Sequence, residues 1–112
     1  MIIQNDKLSF LKKFSEEEWK LNGHKKINTF YLMNMYDALA KYIQEGKYLE
    51  MGCGTGILSK YLKLFSGKKI EIFGIDINQR CITLAKNNNK DEYNNFYCEN
   101  YFYFYPKKQT SL

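Results

Sequence analysis

The sequence predicts an α/β fold, in which three parallel strands form half of a doubly wound sheet and N-terminal helices precede it. Short runs rich in β-branched and aromatic residues alternate with amphipathic segments in the order strand, helix, strand, helix, strand. A glycine-rich stretch, Gly52 to Gly56, separates the first strand from its helix, where such sheets have a tight turn. Right-handed crossovers then make the three strands parallel.

Residues 1–46 are predicted to form a helical region. Apolar residues recur at helical spacing near the N-terminus, and Ser15 with Glu18 has the S-x-x-E form of a capping box, which predicts a new short helix that ends near Gly23. A longer helix follows, with Gly46 as its natural stop. Its mostly apolar face is predicted to contain Phe30, Met33, Leu39, Tyr42 and Ile43.

Residues 47–112 are predicted to form the α/β region of a single, incomplete domain. The period of the apolar residues changes after Gly46, and Asn78 is a predicted helix cap. In chain order we predict a strand at 47–51, a helix at 55–65, a strand at 69–77, a helix at 79–89 and a third strand within 94–100.

Composition narrows the class of protein. The chain has 112 residues, of which 45% are hydrophobic and 26% charged, as in an ordinary globular domain. No apolar run approaches the roughly 18 residues of a membrane span, and the N-terminus lacks a secretory pattern, so we expect no membrane partner and a cytoplasmic protein. Cys53, Cys81 and Cys98 match no zinc spacing, and we predict no metal site. The net charge of +5 is scattered along the chain, which leaves a nucleic-acid partner open.

The glycine loop predicts a cofactor site. A strand that turns sharply into a helix directs backbone N–H groups and the positive end of the helix dipole at the turn, and Gly52, Gly54 and Gly56 allow a ligand close to the backbone. Asp76 follows about twenty residues later at the end of the second strand, where a carboxylate binds ribose hydroxyls. The competing interpretation is a tight structural turn with a surface aspartate.

The spacing of the loop argues against a dinucleotide. The fingerprint G-x-G-x-x-G requires a third glycine at position 57, which is Ile57. Glu50, two residues before the first glycine, repels a pyrophosphate and attracts an ammonium group. The loop therefore favours a ligand with a zwitterionic amino-acid tail.

The segment "LEMGCGTG" followed by "FGIDIN" resembles motif I and the next acidic motif of class I S-adenosylmethionine-dependent methyltransferases, whose fold is Rossmann-like. The resemblance covers about half the chain, 48–100. It implies that S-adenosylmethionine is the cofactor. The methionine part of the cofactor then lies against the glycine loop, and its ribose lies against the acidic residue at the end of the second strand. Its adenine lies between the residue that follows this acid and the end of the third strand. The implied cofactor-binding residues are Glu50, Gly52, Cys53, Gly54, Thr55, Gly56, Asp76, Ile77, Glu99 and Asn100.

Other candidate residues have less specific signals. Cys53 fills a variable position of the loop and is interpreted as a packing residue rather than a nucleophile. In similar enzymes N-terminal helices shape the acceptor pocket, so Trp19, His24, Tyr31 and Tyr36 are candidates for lining it, with core packing or surface exposure as the competing interpretation. No catalytic base is predicted.

The sequence departs from the family after the third strand, where "YFYFY", 101–105, precedes Pro106. We therefore expect the first strand to be a sheet edge, and either a fragment of a longer fold or a partner chain or self-association that completes the sheet. The aromatic run is interpreted as a strand, as a loop over the adenine or as a segment that packs on missing structure.

The predicted function is methyl transfer from S-adenosylmethionine to an acceptor that the sequence does not identify, whether small molecule, protein or nucleic acid. The alternative is a non-catalytic subunit that binds the cofactor or a partner chain. A nicotinamide-dependent oxidoreductase is disfavoured by Ile57 and Glu50.

Overall fold

The computed structural model describes residues 2–22 and 28–100. The predictions for Gly23, His24 and the aromatic run 101–105 lie outside this part of the chain, as does the one for the Trp19 side chain. The elements are α1 (Ile2–Asn22), α2 (Thr29–Tyr42), β1 (Gly46–Met51), α3 (Ile57–Phe65), β2 (Ile70–Asp76), α4 (Gln79–Asn88), a 3-10 helix (Lys90–Asn95) and β3 (Phe96–Cys98).

The three strands form one parallel sheet in the order β1-β2-β3. Gly46 pairs with Ile70 at one end of the β1–β2 ladder, and Asp76 pairs with Cys98 at the end of the β2–β3 ladder. Helices lie before and between the strands, so the predicted Rossmann-like α/β half-fold is confirmed. The parallel arrangement brings the carboxyl ends of β1 and β2 to the same end of the sheet, which places the glycine loop beside Asp76.

The N-terminal segment is one continuous helix, and the prediction of a new helix at Ser15 is wrong. Ser15 lies in the middle of α1, which runs from Ile2 to Asn22. The residues on both sides of it are mostly lysine and glutamate, which favour helix, and no Gly or Pro interrupts them. A capping box forms only where the helix begins, so the S-x-x-E pattern here has no cap to make.

Helix α2 begins after a polar cap at Asn28 and buries only part of the apolar face that the sequence predicts. The Asn28 side chain accepts hydrogen bonds from the backbone N–H groups of Phe30 and Tyr31. Leu32 and Met33 are buried, whereas Phe30 and Tyr42 are exposed, and so is Leu39. The helix carries apolar residues on more than one side, so periodicity alone did not identify the side that packs against α1 and α3.

The core consists of two clusters. The larger joins both N-terminal helices to α3, and the smaller joins the glycine loop to α4 and β3. The buried members of the larger cluster are Leu11, Phe14, Leu32, Met33, Ile57 and Tyr61, and those of the smaller are Cys53, Ile82, Ala85 and Phe96.

Asn78 caps α4 as predicted, because its side chain accepts hydrogen bonds from the N–H groups of Arg80 and Cys81.

Strand β1 is the edge of the sheet in the described residues, as the sequence predicts. Leu49 and Met51, which lie on one face of this strand, are exposed.

Among residues 2–22 and 28–100, no helix has both the length and the apolar character needed to cross a membrane.

Candidate cofactor site

The glycine loop is a compact turn whose own N–H groups are used inside the protein. Gly52 and Gly54 have positive φ angles of 78° and 56°. The N–H groups of Gly52 and Cys53 both donate to the carbonyl oxygen of Ile75, at 2.8 and 2.9 Å. The N–H group of Gly54 donates to the Asp76 carboxylate at 2.9 Å. In this structure the loop therefore does not direct these three N–H groups outward, which differs from the sequence-based expectation.

Gly56 is required by helix packing as well as by its backbone angle. It precedes α3 with a φ of 75°, and a Cβ there would lie 2.6 Å from Asn89 Nδ2 and 3.1 Å from Ala85 Cβ. Asn89 Nδ2 donates to the Gly56 carbonyl oxygen at 3.2 Å, and Asn88 Nδ2 donates to that of Thr55 at 3.0 Å. Helix α4 thus holds the end of the loop, a role that the glycine spacing did not indicate.

Asp76 fixes the loop and keeps acceptor capacity for a ligand. One carboxylate oxygen accepts from the Gly54 N–H and the other from the Asn78 N–H, both at 2.9 Å. An ionised carboxylate has about four acceptor sites, so two remain beyond these bonds. Two acceptor sites on one half-buried carboxylate match the two neighbouring hydroxyl groups of a ribose.

Glu50 is held at the end of β1 in an environment that opposes its charge. Its Oε1 atom is buried and has no hydrogen-bond partner among the described residues. Burial, and then the negative charges of Glu18 and Asp76, raise the pKa of Glu50 to about 8. A buried carboxylate oxygen without a donor is costly, and a cationic donor is the partner that best offsets that cost. The residue is thus suited to an ammonium group.

Glu18 is a site residue that the sequence reasoning missed. Its Oε1 atom accepts a hydrogen bond from the buried Thr55 Oγ1 at 3.1 Å. Its Oε2 atom lies 3.5 Å from the position that a Cβ on Gly54 would occupy. The S-x-x-E pattern had assigned this glutamate to a helix cap, and no local signal connects residue 18 with a loop 37 positions later.

Tyr36 lies near the same two carboxylates, Glu18 and Glu50, whereas Tyr31 is exposed on α2. Burial, followed by the negative charges of Glu50 and Glu18, raises the pKa of the Tyr36 hydroxyl. Its ring packs edge-on against Tyr61, with 5.3 Å between the ring centroids. Tyr36 is thus a packing residue whose hydroxyl lies near the carboxylates of the site.

The Cys53 side chain points into the core. It is 3% exposed, and its Sγ donates to the Gly54 carbonyl oxygen at 3.7 Å. Burial, with nearby negative charge, raises the pKa of this thiol, which opposes the thiolate that a nucleophile needs.

The Cys53 side chain also restricts strand β2. A Cβ on Gly74 would lie 2.7 Å from Cys53 Cβ and 2.9 Å from Phe96 Cδ1, so the strand needs glycine there.

The remaining predicted residues lie at the ends of β2 and β3. Ile77 is 68% exposed and follows Asp76 directly. The N–H group of Glu99 donates to the Asp76 carbonyl oxygen at 3.0 Å, and both Glu99 and Asn100 are exposed. The fold therefore brings Glu50, the glycine loop, Asp76 and Ile77 together at the carboxyl end of the sheet.

No group of three His, Cys, Asp or Glu side chains suited to a metal ion occurs in the described segments.

Comparison with known proteins identifies the class. A family model described as a methyltransferase domain matches residues 44–100, which is just over half the chain. The chain therefore belongs to the methyltransferase domain family, and the resemblance to class I S-adenosylmethionine-dependent methyltransferases is confirmed.

A curated relative is the ribosomal protein L11 methyltransferase of Dictyoglomus turgidum (strain DSM 6724 / Z-1310). It is 42% identical over 53 residues, a stretch that covers 46% of this chain and 17% of the relative. The chain thus matches less than a fifth of that protein's length. No solved structure matches the chain significantly.

Proposed function

We propose that this chain binds S-adenosylmethionine at the glycine loop and serves in methyl transfer to an acceptor. The observation that carries the proposal is the buried, unpartnered Oε1 of Glu50 beside a loop whose other side is Asp76 with two acceptor sites left. An ammonium group satisfies the first and a ribose the second. The family match supports the same cofactor, because S-adenosylmethionine is the methyl donor that the family implies.

The residues of the chain bind and orient rather than react. When bound, the donor supplies a methyl group on a sulfonium sulfur, which becomes a neutral thioether as its bond to the methyl carbon breaks. Glu50 holds the ammonium group, Asp76 the ribose, and the exposed Ile77 side chain covers one face of the adenine. Glu99 or Asn100, at the end of β3, accepts from the adenine amino group. Catalysis then depends on holding the acceptor in line with the methyl carbon.

The first test is thermal unfolding of the full chain with and without S-adenosylhomocysteine, the demethylated product. We expect a cooperative transition that moves up by a few degrees at saturating ligand, because a ligand that binds only the folded state stabilises it. Solution mass is recorded in the same buffer. A cooperative transition that ligand leaves unchanged contradicts the proposal.

The second test places the ligand. Asp76→Ala is expected to weaken binding by about 1 to 3 kcal/mol, because ribose hydroxyls lose a charged acceptor. Asp91→Ala removes an exposed carboxylate that pairs with Lys63 on another part of the surface, and it should leave the affinity unchanged. Binding is measured by isothermal titration on variants that remain folded. Equal affinity for the wild type and Asp76→Ala would place the ribose elsewhere.

The alternative is a non-catalytic subunit that binds the cofactor, or only a partner chain, and transfers no methyl group. It is favoured by the exposed edge of β1, where Leu49 and Met51 are accessible to a partner chain. Incubation with methyl-labelled donor and separate pools of small molecules, protein and RNA distinguishes the two. Label that enters one pool supports the enzyme, and binding without label in any pool supports the subunit.

A further inference from the structure

The N-terminal helix contributes a carboxylate to the glycine loop. Glu18 accepts from Thr55 Oγ1 at 3.1 Å and lies next to Gly54, where a Cβ would be 3.5 Å from Glu18 Oε2. Thr55 is fully buried and Glu18 is half-buried, so the donor hydroxyl has no contact with water and its hydrogen bond orients the carboxylate. Residue 18 lies outside the region that the family model matches, 44–100. The family match therefore assigns nothing to it.

Glu18 lies close enough to Glu50 to influence its ionisation. Its negative charge, after burial, is the next cause of the raised pKa of Glu50, and it also contributes to the raised pKa of Tyr36. Glu50 itself points a buried oxygen with no hydrogen-bond partner into this region. Carboxylates from α1, β1 and the end of β2 thus converge on the glycine loop.

We propose that Glu18 is a charge-selecting residue of the donor site, which makes the site favour S-adenosylmethionine over its demethylated product. The inference rests on the proposed function. The donor carries a positive sulfonium that the product lacks, while the two share the ammonium, carboxylate, ribose and adenine groups. A carboxylate held beside the loop by a hydrogen bond from a buried hydroxyl attracts the sulfonium and adds little for a neutral thioether. Glu18 therefore contributes to release of the product after transfer.

Glu18→Gln separates the charge from the contact. The glutamine side chain has the same length, and its amide oxygen still accepts from Thr55 Oγ1, so the attachment of α1 to the loop is retained. Isothermal titration of the full chain with S-adenosylmethionine and, separately, with S-adenosylhomocysteine gives the ratio of the two affinities. We expect this ratio to fall about tenfold in Glu18→Gln, mostly through weaker binding of the sulfonium ligand.

The matched control is Glu16→Gln, which removes the same charge from the same helix about 200° away around its axis. It should leave the ratio unchanged. Glu18→Asp keeps the charge and should recover part of the ratio. If Glu18→Gln does not fold, Thr55→Val removes the hydrogen bond that orients Glu18, and a smaller fall of the ratio is expected.

The outcomes separate the two proposals. Wild-type protein that binds neither ligand rejects the proposed function. Wild-type protein that binds both, with an unchanged ratio in Glu18→Gln, rejects charge selection alone. Equal weakening of both ligands also rejects it, because that result means that Glu18 acts on groups that the two ligands share or on the fold alone.

Discussion

At the scale of single residues, Glu50 shows a conflict between stability and the proposed function. Burial and the charges of Glu18 and Asp76 raise its pKa from 4.5 to about 8. Between these two pH values the folded chain holds a proton that the unfolded chain has released, so the free energy of unfolding falls as pH rises through this window. A residue kept at such a cost is typical of binding sites.

Glu50→Gln is therefore expected to stabilise the protein and to weaken binding. Near pH 8.5 we expect the variant to exceed the wild type by about 2 kcal/mol in free energy of unfolding, with the difference shrinking toward pH 5. Urea unfolding at both pH values measures it. Asp6→Asn, an exposed change on α1, serves as the control and should show no such dependence. A Glu50→Gln variant less stable than the wild type at pH 8.5 contradicts this account of its environment.

At the scale of secondary structure elements, the glycine loop depends on α4 rather than on its own sequence. Asn88 and Asn89, from the end of that helix, donate to the carbonyl oxygens of Thr55 and Gly56. Gly56 has no Cβ because Asn89 and Ala85 occupy that space. The loop geometry thus requires the packing of α3 beside α4, two elements separated in sequence by a strand.

Gly56→Ala tests this dependence. We expect a loss of about 2–4 kcal/mol in free energy of unfolding, from a positive φ combined with a steric overlap. Gly67→Ala is the matched control, because it has a similar φ of 70° but nothing within 4 Å of the added Cβ, and it should cost only about 1–2 kcal/mol. Denaturant unfolding of the two variants gives the difference. Equal losses would mean that strain alone, without packing, explains the glycine.

At the scale of the whole molecule, the N-terminal helices share the larger of the two core clusters with the α/β region. Leu11 and Leu32 pack in the same cluster as Tyr61 of α3. Lys68, between α3 and β2, donates through its ammonium group to three carbonyl oxygens at the end of α2, at 2.8–3.0 Å. These bonds satisfy carbonyls that a helix end leaves without partners. A partner chain at the β1 edge stays a prediction.

Lys68→Met should weaken this connection. Loss of a charged donor to the end of α2 is expected to cost about 1–3 kcal/mol in free energy of unfolding, within a single cooperative transition. Lys69→Met is the control, because the described hydrogen bonds of Lys69 are made by its backbone N–H and carbonyl groups and not by its side chain. Circular dichroism during urea unfolding follows both. A separate transition for the helices would show that 1–46 folds independently.

Local signals in the sequence predict the alternation of strands and helices after residue 46, the cap at Asn78 and the placement of Glu50, the glycines and Asp76 at strand ends. They do not predict the unbroken helix α1 or the 3-10 helix before β3. The predicted features depend on apolar periodicity and on glycine, asparagine and aspartate at turns, which act over a few residues. The parallel sheet then follows from the alternation of strands and helices. That is why the fold class and most of the candidate site could be predicted without coordinates.

Which residues meet across the chain depends on how the elements pack together. Packing between elements brings Glu18 to Thr55, buries Leu32 beside the predicted Met33 while Phe30 and Leu39 stay exposed, and leaves no room for a side chain at position 74. Each depends on a contact between separate elements, and a helix with apolar residues on several sides has no local preference among them. The sequence thus predicted the loop, whereas the fold placed a helix carboxylate beside it.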